Sequence, residues 1–148
     1  MNSKKIVQAL EQVIEAVKEQ TNNPVENKRF KILSDGWIRD KALGKDWGPS
    51  SDKRMNFAEA GKYVEEKGGI LPTVKELRSL IDYDRKNPAI DTDFFGDTKT
   101  DDWYWTGTMV AGSSSFVWCV DFFGNVCDCN EAYGYYVRPV RPSQCLII

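Results

Sequence analysis

The side chains best equipped for chemistry in this sequence are carboxylates and thiols. Asp82, Asp84, Asp91, Asp93, Asp97, Asp101, Asp102, Asp121 and Asp128 crowd its second half. Two of them at a working separation would make the acid and base of a sugar hydrolase. Their spacing fixes no such pair, and aspartates before turns or at strand ends are mostly solvated or capping. A carboxylate-based hydrolase is therefore the alternative reading. The Asp91-Thr92-Asp93 and Asp97 group suggests a calcium loop, yet the twelve-residue EF-hand spacing with its central glycine and terminal glutamate is absent. Of the thiols Cys119, Cys127, Cys129 and Cys145, the middle two form C-x-C, whereas zinc knuckles use C-x2-C or wider. A Cys119–Cys127 bridge across a hairpin and small buried thiols both stay open, and the second is the expectation. The sequence has no histidine. That excludes Ser-His-Asp and Cys-His catalysis, histidine-ligated metals and a histidine pH switch. Gly68-Gly69 and Gly107 are not followed by the lysine of a phosphate loop. No cofactor and no metal site are expected.

The aromatic residues are a better lead. Trp103, Tyr104, Trp105, Phe116, Trp118, Tyr133, Tyr135 and Tyr136 fall in one third of the chain. Strand alternation buries every second one. Tyr104, Phe116, Tyr133 and Tyr135 cannot all be buried on the same face as their neighbours. With Ser113, Ser114, Ser115, Asn130 and Glu131 they form a candidate ligand-binding surface of rigid rings and adaptable polar groups. Such a surface suits protein or carbohydrate recognition better than catalysis.

The chain of 148 residues is long enough for one domain with a real core. Its net charge of −2 offers no electrostatic footprint for nucleic acid or an anionic membrane. No apolar run approaches the length of a bilayer span. The N-terminus lacks the continuous apolar region of a secretory signal, so a cytoplasmic or phage-associated location is expected over secretion.

The elements that must position these residues are set by periodicity. Residues 3–20 predict an amphipathic helix whose stripe of Ile6, Leu10, Val13 and Val17 either docks on its own domain or fits the a and d sites of an oligomeric seam. Residues 28–48 predict an opening hairpin about Asp35-Gly36, and 44–53 a surface loop. Asn56-Phe57-Ala58-Glu59 and Thr73-Val74-Lys75-Glu76 are capping boxes that start two helices, the first ending at Gly68-Gly69 and the second burying Leu77, Leu80 and Ile81. Strands are predicted at Trp103–Thr106, Phe116–Phe122, Val126–Cys129 and Tyr135–Val140. A two-residue turn at Gly124-Asn125 would set Phe122 opposite Cys127 and Val120 opposite Cys129. Trp118, Val120, Phe122, Cys127 and Cys129 would then share a face, with Cys119 on the other.

Together, Asp35-Gly36, Phe57-Ala58-Glu59-Ala60, Leu71-Pro72-Thr73-Val74-Lys75-Glu76-Leu77, Phe94-Phe95, Tyr104-Trp105-Thr106-Gly107, Trp118-Cys119-Val120-Asp121-Phe122 and Tyr136-Val137-Arg138-Pro139-Val140-Arg141 make a pattern. It resembles the C-terminal domain family of the collagen-like adhesin Lcl, over about residues 30–142. The resemblance implies a C-type-lectin-like α+β fold, with two short helices packed on a twisted antiparallel sheet, and a role in adhesion, glycan binding or protein binding, sometimes as trimers. The expected organisation is the N-terminal helix at 1–23, the domain at 28–142 and a tail at 143–148. Pro139 stands where the family often has a cysteine, and Val64 near the usual position of its partner. Their joint loss fits a reducing compartment. The expected function is a non-enzymatic recognition module, phage- or mobile-element-related and host-interacting, with an oligomeric display element as a further alternative.

Overall fold

The computed structural model describes residues 26–144. The predicted N-terminal helix with Ile6, Leu10, Val13 and Val17, and the Cys145 thiol, lie outside them. Three short strands come first, β1 (Phe30–Ile32), β2 (Ile38–Asp40) and β3 (Lys45–Trp47), each folding back on the one before. The predicted Asp35-Gly36 turn joins the first pair. Asp35 Oδ1 accepts the Trp37 amide at 3.0 Å and Gly36 takes φ of +87°, a conformation that is free for glycine and strained for other residues.

The next reversal is organised by a buried carboxylate. Asp40 accepts the Ala42 and Leu43 amides, the Trp47 indole N–H at 3.1 Å and two N–H groups of Arg29. A buried charge is tolerated only when so satisfied. Strand β3 lies inside the stretch expected to be a surface loop, because Asp46 and Trp47 turn inward there. The last strand, β7 (Val140–Pro142), returns to pair with β3, giving a four-stranded antiparallel sheet in the order β1-β2-β3-β7.

Both capping boxes are formed. Helix α1 (Phe57–Glu66) starts on Asn56, whose side chain accepts the Glu59 amide while Glu59 returns to the Asn56 amide. Helix α2 (Val74–Arg78) starts on Thr73 and Glu76 in the same way. Leu77 is buried within α2, and Leu80 and Ile81 are buried just beyond its end.

The second sheet comprises β4 (Tyr104–Met109), β5 (Phe116–Val120) and β6 (Val126–Asn130). Strand alternation divides its side chains between two cores. Tyr104 and Val120 join Leu77, Phe94, Phe95, Phe122 and Trp47 in the larger one. Trp105, Val117, Cys119 and Cys129 join Ala60 and Val64 of α1 in the smaller one. The architecture is thus α+β, with two antiparallel sheets where one was expected. The predicted strand at 135–140 instead crosses between them, through bridges of Tyr135 to Met55 and Tyr136 to Tyr104.

The β5–β6 hairpin corrects the expected register. Val120 pairs with Val126 and Cys119 with Cys127, so the loop is Asp121–Asn125 and not two residues. The reason is Asp121, whose carboxylate accepts the Phe123 and Asn125 amides and the Asn125 side chain. A local side-chain bond of this kind competes with the tight Gly-Asn turn. Val117, Cys119 and Cys129 consequently face α1, while Trp118 and Val120 take the opposite face. Cys119 and Cys127 stand directly across from one another, and Cys119, Cys127 and Cys129 are free thiols.

Candidate recognition site

Apart from Tyr104, the residues expected to form a surface lie at one end of the second sheet, where β5 begins and β6 ends. Ser113 Oγ accepts the Ser115 and Phe116 amides at 3.1 and 3.0 Å, which turns the chain into β5. Phe116 then pairs with Asn130 across the ladder, and the Glu131 amide donates to the Ser115 carbonyl at 2.9 Å. Asn130 shapes the turn after β6: its side chain accepts the Ala132 amide and its carbonyl accepts the Tyr133 amide. Tyr133, 62% exposed, meets Tyr135 at 6.4 Å between ring centroids. The stack continues inward to the buried Trp105 at 5.0 Å from Tyr135, and Phe57 meets Trp105 at 5.5 Å, so the exposed ring is linked through half-buried Tyr135 to the core. Edge-to-face contacts of this kind hold geometry as well as area. Beside the stack, Asn56, Phe57, Ala58, Glu131 and Ala132 line an open cleft of about 290 Å³. Ser114, Phe116 and Glu131 are exposed, while Ser113, Ser115, Asn130 and Tyr135 are half-buried.

Tyr104 does not belong to this group. It is fully buried, with its hydroxyl 2.7 Å from Ser50 Oγ and accepting the Lys99 amide at 2.8 Å. Its ring meets Phe122 at 5.3 Å and Tyr136 at 5.7 Å. Both faces of β4 are covered, so alternation sends Tyr104 into one core and Trp105 into the other. The expectation that Tyr104 belongs to the exposed surface fails for that reason. Burial pushes the Tyr104 phenol up and keeps it neutral at pH 7.

The thiols and carboxylates are largely engaged in structure. Burial pushes the Cys119 and Cys129 thiols up, so they stay protonated and lack the thiolate that nucleophilic chemistry needs. Burial and a hydrogen bond with Cys129 raise Tyr135 in the same direction. Asp97 accepts the Ser50 amide and two guanidinium nitrogens of Arg138, a side chain only 2% exposed. Asp46 holds Arg39 and Arg141, and Arg54 spans Asp101 and Asp102. In the Asp91 to Asp97 segment, Asp91 accepts the Asp93 amide and pairs with Arg85. No group of three or more histidine, cysteine or acidic residues among the described residues is arranged to hold a metal ion.

Two features were not anticipated from sequence. A second open cleft, about 250 Å³, is lined by Lys53, Arg54, Met55, Glu59, Lys62, Tyr63 and Glu66. It contains two carboxylates, but Glu59 is committed to capping α1. The other is an exposed aromatic pair at the opposite end of the second sheet, where Tyr83 and Phe123 are 74% and 57% exposed and the Tyr83 ring comes within 3.5 Å of where a Gly124 Cβ would stand. The Asp121 loop creates it by pushing Phe123 outward, and that loop was the part of the hairpin misjudged.

Taken with the fold, these contacts define an α+β domain: two antiparallel sheets and two helices held by ion pairs and caps, with an aromatic end that is open to solvent. The chain belongs to the Lcl C-terminal domain family, whose model matches residues 36–141. Neither the curated proteins nor the solved structures contain a match to it. Apart from Phe57 and Ala58 at the cleft, the motif residues that carry the family pattern are largely scaffold. Thr73 and Glu76 cap α2, Phe95 lies beneath the Arg138 guanidinium at 5.1 Å, and Arg141 stacks on Trp37 at 4.0 Å while pairing with Asp35 and Asp46. Val64 and Pro139 both flank Gly69: the Val64 carbonyl accepts its amide, and Pro139 lies 3.0 Å from where a Cβ would stand.

Proposed function

We propose that this domain is a non-enzymatic recognition module of C-type-lectin-like fold, binding a protein or glycan through the surface of Phe116, Tyr133 and Tyr135 with Ser113, Ser114, Ser115, Asn130 and Glu131. The observation that carries the reading is the convergence of 113–116 and 130–135 with the start of α1 around one exposed tyrosine. That tyrosine is backed by a stack of aromatic rings running into the core. Exposed rings held rigid lose little entropy on binding, which is why tyrosine is common in binding surfaces. Belonging to the Lcl C-terminal domain family agrees with an adhesin-type role. The absence of histidine removes the commonest acid–base residue from any catalytic alternative.

The test is capture of ligands from host lysate beside a glycan array, repeated with Tyr133→Ala and Phe116→Ala. Loss of the captured partner or sugar in either variant, with the thermal midpoint unchanged, supports the face. Full retention in both removes it.

A further inference from the structure

Each sheet has two edges, and three of the four are closed. On the outer side of β4, the Trp105 amide donates to the Tyr136 carbonyl at 2.9 Å and the Gly107 amide to the Pro72 carbonyl at 2.7 Å. Outside β7, Val140 and Ile70 exchange both of their backbone bonds, at 2.8 and 3.0 Å. Outside β1, Glu26 bridges to Lys31.

Strand β6 is different. Bonds at Asp121 to Asn125 and at Glu131 to Ser115 fix which residues face β5. With the unbroken register between them, Cys127 and Cys129 point their amides and carbonyls inward along the ladder. The main-chain groups of Val126 and Asp128 therefore point outward. Among the described residues no backbone group partners either amide or the Val126 carbonyl, and only the Cys127 thiol approaches the Asp128 carbonyl, at 3.5 Å. Val126 and Asp128 are both exposed. The strand has no proline, lysine or bulge, three devices that commonly blunt an edge, and its one charged residue is Asp128.

We propose that the β6 edge binds an extended peptide segment of a partner protein, which joins the second sheet as a fourth strand. Outward N–H and C=O groups at alternate residues, about 7 Å apart along a strand, match the repeat of another extended main chain. A sugar ring has no such repeat. The inference rests on the recognition face, since the aromatic end and its cleft begin where β6 ends, at Asn130 and Glu131. It selects peptide over glycan as the ligand of that face. Main-chain bonds along β6 supply affinity, and the Tyr133 end and its cleft select the side chain that reaches them.

Asp128→Pro is the discriminating variant. It deletes one outward amide and leaves the inward ladder intact, the position at which an edge strand tolerates proline. The probe is a displayed library of short random peptides selected against the full chain. The selected peptide is then titrated by fluorescence anisotropy against the unmodified protein, Asp128→Pro, Asp128→Asn and Tyr133→Ala. The expected result is a loss of about tenfold or more in affinity for Asp128→Pro and less than about threefold for Asp128→Asn. Hydrogen exchange gives a second reading that needs no variant: the Val126 and Asp128 amides slow at least about tenfold when peptide is added. Unchanged affinity in Asp128→Pro together with unslowed amides overturns the edge. If Tyr133→Ala alone then abolishes binding, the face survives without the edge; if neither variant matters, both readings fall. Failure to select any peptide while a glycan binds also overturns the edge, as does concentration-dependent dimerisation that Asp128→Pro abolishes.

Discussion

Arg138 shows how one residue can carry a family pattern for structural reasons. Its guanidinium is buried over Phe95, donates to the Gly48 carbonyl at 2.9 Å and to Thr98 at 2.9 Å, and meets Asp97 with two nitrogens. Among the described residues its Nε has no partner, so one buried donor is already unsatisfied. Asp97→Ala removes the ion-pair partner of that buried charge while leaving its bonds to Gly48 and Thr98, and is expected to cost about 1–3 kcal/mol in urea unfolding. Burial alone would raise the Asp97 carboxyl, but the Arg138 charge and hydrogen bonds more than offset it and hold the pKa below the ordinary value. Glu76 behaves likewise, with burial opposed by Lys45 and the Thr73 amide. A carboxylate depressed in the folded state stabilises it above the unfolded pKa, about 4, and that contribution disappears as pH falls through the folded value. The urea midpoint should therefore hold steady from pH 7 to about 5 and decline below that, less steeply in Asp97→Asn. Arg138 could be read from the sequence as part of a motif. Its partner could not, because Asp97 lies 41 positions away and looks like any other loop aspartate.

At the scale of elements, what was legible was local. Both helix starts are chemistry between residues three apart, and both form as read. Thr73→Ala removes one such cap and should cost about 1 kcal/mol, seen as a lower thermal midpoint with unchanged ligand binding. Gly69 is a harder case. A Cβ there would stand 2.8 Å from the Val140 carbonyl, where Ile70 and Val140 bridge. Gly69→Ala is expected to cost about 1–3 kcal/mol by forcing the two segments apart, and the slowed exchange of the Ile70 amide should be lost first. The hairpin was misread because Gly124-Asn125 is a strong turn signal by itself. Asp121, three residues earlier, wins by accepting two backbone amides. Strand β3 was hidden for a related reason. Glycine and charge around it suggest a loop, and only the packing of Trp47 and the arginines on Asp46 shows that the segment points inward.

Over the whole molecule, the division into two cores explains why Tyr104 departs from the expected surface. That Phe116, Glu131 and Tyr133 reach solvent was legible, because too many aromatic and polar residues crowd a short stretch for all to be buried. Tyr104 was wrongly grouped with them because a sheet with helix and loop packing on both faces has no solvent side at its centre. The family motifs locate the scaffold, and the residues proposed to bind lie largely outside them. Two exposed aromatic surfaces sit at opposite ends of one sheet, so they provide a comparison within the same protein. The most direct measurement is the affinity of whatever ligand the lysate or glycan screen identifies, for the Phe116→Ala/Tyr133→Ala variant and for Tyr83→Ala/Phe123→Ala. Loss of about tenfold or more in the first variant, roughly 1.4 kcal/mol, with less than about twofold in the second is the predicted outcome. The reverse pattern would contradict it and move the binding face to the other end of the sheet.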